Sequence, residues 1–192
     1  MAAHRQFTGG REGVRRCLLF GLLVTSPMIE HEPQVTVGEE RGVYSVNAHF
    51  AVPEPTAVVL DVLTDYEQIP RFMPDVKSSI VRERSADLIV VEQEAEARMM
   101  MFSKRVFLRL EVHTSDDTVQ FRDSSGRSFA KYEGAWRLAH ENGRTTVRYE
   151  LSAVPSFDVP SFLLTRLLKR DARQMIERLR TEIAARGRAI RR

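Results

Sequence analysis

The chain has one cysteine, Cys17, among 192 residues, which excludes an internal disulfide and any cysteine-rich zinc or iron–sulfur site. The redox compartment stays open. Ten glycines and eight prolines are too few for a low-complexity or collagen-like chain. No apolar run approaches the roughly 18 residues that a membrane-crossing helix needs. Missing too are HExxH, GxSxG, GxGxxG and GxxxxGKS/T, so zincin, hydrolase-elbow, dinucleotide and P-loop chemistries have no local support.

What is present is the composition of an ordinary globular domain, 43% hydrophobic and 29% charged, long enough for one sizeable core. The net charge of +3 is unevenly spread: residues 1–27 carry +3 and residues 159–192 carry +7, so the middle carries −7. An acidic middle between basic ends argues against a protein built wholly around nucleic acid. The basic C-terminal segment reads as a solvated helix face. It is also a candidate contact for an anionic membrane surface, with RNA or a ribosome as the weaker alternative.

At the N-terminus, Arg11, Arg15 and Arg16 precede an apolar run over residues 17–24. This is the outline of a short signal peptide, but Pro27 directly follows Ser26, the best small-residue exit. Residues 1–34 are therefore read as a leader, either signal-like or disordered, with Met28 as an alternative start. Cytoplasmic and exported locations both stay open.

From residue 35 the pattern is strand, strand, short helices, strands and one long helix. Residues 35–37 and 43–52 flank a turn-rich linker. Pro53 and Pro55 then end the strand and open a helix whose apolar face is Val58, Val59, Val62 and Leu63. A second short helix lies within residues 65–74, bracketed by prolines. Period-two runs follow at residues 76–83, 88–97, 102–113, 118–122, 129–140 and 145–153. Asn142-Gly143 is the strongest hairpin signal among the turns that separate them.

Alternation puts Val106, Leu108, Leu110 and Val112 on one face, and likewise Tyr132, Gly134, Trp136 and Leu138, then Val147, Tyr149 and Leu151. One sheet face is apolar and the other wet. The cover for that face is the last segment, where Leu164, Leu168, Ala172, Met175, Leu179 and Ile183 form one helical stripe. Pro160 suits its first turn, and Gly187 suits its end.

Candidate chemistry is sparse. His49 lies in a strand without metal-ligand spacing and reads as structural. Glu92, Glu94 and Glu96 form a ladder that reads as a solvated face, because Val91, Gln93, Ala95 and Ala97 make the better core side. The triplet Met99-Met100-Met101 offers a soft apolar edge. Trp136, Tyr132 and Tyr149 put polar handles on an inward face, able to orient a ligand or to satisfy one another.

Residues 65–77, Asp-Tyr-Glu-Gln-Ile-Pro-Arg-Phe-Met-Pro-Asp-Val-Lys, precede a sheet carrying Tyr132-Glu133-Gly134-Ala135-Trp136 and a long closing helix. This arrangement resembles the polyketide cyclase/dehydrase and lipid-transport superfamily (START-like, SRPBCC), and within it the coenzyme-Q-binding branch. The resemblance implies an α+β helix-grip fold of START/Bet v 1 type over residues 35–187. In it a curved antiparallel β-sheet wraps around the C-terminal helix, two short helices follow the first strands, and residues 188–192 form a basic tail. It further implies a cavity for a quinone, lipid or polyketide-like molecule, without cofactor, metal or assigned catalytic residue. Tyr66 and Phe72 are then expected at the mouth. Met101, Leu108, Phe121, Tyr132, Trp136, Tyr149, Leu164, Leu168 and Met175 are expected on the wall. A cyclase/dehydrase-type enzyme and a ribosome-, RNA- or membrane-contacting module are the alternative functions, and oligomeric state is left open.

Overall fold

The structure, a computed structural model, describes residues 32–99 and 102–191. Residues 1–31 of the expected leader lie outside the described residues, as does Met101, whereas Gln34, its last residue, already belongs to the first strand. Eight antiparallel strands form one sheet in the order β1-β2-β8-β7-β6-β5-β4-β3. They are β1 (Gln34–Glu40), β2 (Val43–Val52), β3 (Val76–Arg84), β4 (Ile89–Met99), β5 (Phe102–Thr114), β6 (Thr118–Asp123), β7 (Phe129–Glu141) and β8 (Arg144–Pro155). Helix α1 (Thr56–Thr64), a 3-10 turn (Tyr66–Gln68) and α2 (Ile69–Phe72) separate β2 from β3, and α3 (Ser161–Ile190) closes the chain. The strands thus fall where the period-two runs predict them.

Two hairpins have two-residue turns whose central residues both have positive φ: Arg41 and Gly42 at 51° and 80°, Asn142 and Gly143 at 53° and 71°. Such turns match the right-handed strand twist. The first replaces the longer linker expected from the sequence, because the polar residues Gly38, Glu39 and Glu40 continue β1 along the exposed edge of the sheet.

Strand alternation sorts side chains cleanly. In β2, Tyr44, Val46, Ala48, Phe50 and Val52 are buried, while Ser45, Asn47 and His49 are exposed. On the outer face, Glu92 accepts hydrogen bonds from Arg82 and Arg109, each at 2.6 Å. The hydrogen bond from Arg82 is the main reason the Glu92 carboxyl is held below its usual pKa.

Helix α3 departs from the single expected stripe. Its buried residues are Leu164, Leu167, Ala172, Ile176, Leu179, Ile183 and Gly187, so the buried face turns around the axis along the helix. Leu168 and Met175 remain only partly buried. Gly187 does not stop the helix, which continues to Ile190 through the first residues of the expected tail. Glycine is needed there for space: a Cβ at 187 would lie 2.6 Å from Glu54 Cγ. Beside it, Arg186 donates to Asp61 at 2.7 Å, Asp65 at 2.8 Å and Glu182 at 2.9 Å, tying the end of α3 to α1.

Candidate functional site

A hollow of about 380 Å³ lies between the inner sheet face and the N-terminal half of α3. Strands β5 and β6 bring Leu108 and Phe121 to it, β7 and β8 bring Tyr132, Trp136 and Tyr149, and α3 brings Leu164, Leu168 and Met175. The segment between β2 and β3 contributes Tyr66 and Phe72. All the expected wall and mouth residues but Met101 are therefore gathered around one space. Leu168 and Met175, half-buried against the core, also face this hollow. Of the two residues expected at the mouth, Phe72 is half-buried but Tyr66 is buried in the wall.

The sheet side is an aromatic cluster. Trp136 and Tyr149 are direct cross-strand partners with ring centroids 4.3 Å apart. Phe121 lies 5.9 Å from Tyr132 and 6.3 Å from Tyr149, within the range of favourable ring contacts. Burial pushes the Tyr132 phenol above its usual pKa, and burial with the nearby Tyr132 phenol pushes Tyr149 well above it. Burial also raises Tyr66. Its hydroxyl is shut off from solvent, and the nearby Thr114 hydroxyl opposes the rise.

One side of the hollow is charged. Arg178 donates to Asp75 at 2.7 Å, Glu96 pairs with Arg98 at 3.1 Å, and Asp171 pairs with Arg170 at 2.8 Å. Burial raises the Asp171 carboxyl, with the Arg170 hydrogen bond opposing it. Asp75, Glu96, Lys104, Asp171 and Arg178 all line the cavity and all reach solvent, so this side is where it opens. None of these five was legible as a site residue. Alternation assigns Glu96 to the wet face, yet it also lines the cavity.

His49 is exposed on the outer face of β2, away from the cavity. Among the described residues, no group of three or more His, Cys, Asp or Glu could hold a metal ion, and no helix is long and apolar enough to cross a membrane. The arrangement suits uptake of an apolar body through a polar opening.

A curved antiparallel sheet gripping a long C-terminal helix over a cavity defines a START-like helix-grip protein. The sequence matches the family model described as polyketide cyclase/dehydrase and lipid transport over residues 52–180, and the chain belongs to that family. Among solved structures, it is similar to a protein of Thermus thermophilus at 22% identity and TM-score 0.64, covering 74% of this chain and 99% of that one. An aromatase/cyclase from Streptomyces sp. R1128 aligns at 14% identity and TM-score 0.65, over 75% of this chain and 95% of its own. A STAR-related lipid transfer protein from Xanthomonas axonopodis aligns at 14% identity and TM-score 0.59, over 80% and 99%. These likenesses describe the fold. A comparison with curated proteins finds no match.

Proposed function

We propose that the protein binds and carries a hydrophobic small molecule, a quinone, lipid or polyketide-like compound, in the cavity between sheet and α3. The observation that carries this reading is the unfilled volume of about 380 Å³ walled mainly by aliphatic and aromatic side chains. It lies within the roughly 300–1,000 Å³ usual for small-molecule sites. Protein interiors ordinarily close such spaces, since a void forfeits dispersion contacts. An apolar ligand would restore those contacts and remove its own surface from water, worth roughly 25 cal/mol per Å² before entropic costs. The family description and the lipid transfer neighbour support carriage. The aromatase/cyclase neighbour keeps catalysis as the alternative, but His49 faces away and the cavity's acids at Asp75, Glu96 and Asp171 are held in ion pairs.

The test is fluorescence titration with N-phenyl-1-naphthylamine, an uncharged apolar probe, on the native protein and two variants. Trp136→Arg puts a cation against the buried Tyr149 ring, and Met175→Trp fills the hollow. Each is expected to weaken probe binding by about tenfold or more while keeping native circular dichroism. Native probe affinity in both folded variants would place the site elsewhere.

A further inference from the structure

The N-terminal half of α3 has a second face, opposite the one that lines the cavity. Phe162, Arg166, Lys169 and Arg173 follow at steps of four, three and four residues, which places them in one stripe along three helical turns. All four are exposed, and Phe162, at 73%, is the most exposed large hydrophobic side chain among the described residues. The acids nearest the stripe on α3 are engaged elsewhere: Asp171 with Arg170 at 2.8 Å and Glu177 with Arg180 at 3.6 Å. Asp158 stands exposed ahead of the helix. Among the described residues, Arg166, Lys169 and Arg173 form no ion pair.

We propose that this stripe docks the protein on an anionic phospholipid membrane, with the three cations against headgroup phosphates and the Phe162 ring at the acyl boundary. Basic residues near a membrane surface gain from its negative potential, and an aromatic ring is favoured at the interface. The charge distribution gives the docking a direction. Residues 28–158 carry −7 and are repelled by the same surface that attracts α3, so the protein settles helix-first. The same asymmetry disfavours RNA, whose binders usually put positive charge on the main body. The proposal does not depend on what the cavity holds.

Co-sedimentation of the full chain with vesicles of phosphatidylcholine alone and of phosphatidylcholine with phosphatidylserine tests it. Binding is expected only to the serine-containing vesicles and is expected to fall steeply with added salt. The triple variant Arg166→Glu, Lys169→Glu and Arg173→Glu should lower it on the order of a hundredfold, and Phe162→Ala should lower it at constant charge. Arg148→Glu, an exposed cation on the outer sheet face, should leave it unchanged. Equal binding to both vesicles, no binding to either, binding of single-stranded RNA alone, or equal losses from the triple variant and Arg148→Glu would each overturn the proposal.

Discussion

Phe121 occupies the space that a side chain at Gly134 would need. The two residues are direct cross-strand partners in β6 and β7, and a Cβ built on Gly134 would lie 2.6 Å from Phe121 Cζ. The absent side chain lets the aromatic ring lie flat over the strand, a pairing that shields a strand glycine. It also sets one wall of the cavity.

Replacing Gly134 with alanine is therefore expected to destabilise the protein severely. The new Cβ would also come within 2.2 Å of the Glu150 backbone carbonyl oxygen, which cannot rotate away as a side chain can. Urea unfolding should report a loss of about 3 kcal/mol or more. Adding Phe121→Ala should restore little, because the carbonyl contact remains. A loss below about 1 kcal/mol for Gly134→Ala would contradict this account of the glycine.

The four tyrosines of the chain, Tyr44, Tyr66, Tyr132 and Tyr149, all have phenols raised above 10.0, with burial the largest cause in each. Above pH 10 the unfolded chain therefore releases phenolic protons that the folded chain keeps, so stability falls as pH rises from 10 through the native values. In an absorbance titration, phenolate is expected to appear together with loss of native circular dichroism, as one cooperative transition above pH 10. Four phenolates titrating smoothly around pH 10 in a still-folded protein would contradict the burial.

Much of this was readable from residue order. Alternation in the strands, the Asn142-Gly143 turn and the proline-bracketed segment before β3 all carry local physical signals, and those signals agree with the final structure. Leu108, Phe121, Tyr132, Trp136 and Tyr149 follow from knowing which strand face is apolar. What was not readable depends on where the sheet bends. The turning of the buried face of α3 toward Ile176, and the role of Gly187 against Glu54, follow from contacts with residues more than a hundred positions away. The charged opening formed by Asp75, Glu96, Asp171 and Arg178 joins the turn before β3 with β4 and α3, and no periodicity in any one of them signals it.

Native mass spectrometry of the full chain, purified without detergent and followed by organic extraction, tests the cavity assignment most directly. The account predicts a retained apolar molecule that is released by solvent and reduced in Met175→Trp. A native protein found only at its bare chain mass, yielding no apolar extract and failing to take up the uncharged N-phenyl-1-naphthylamine, would contradict it.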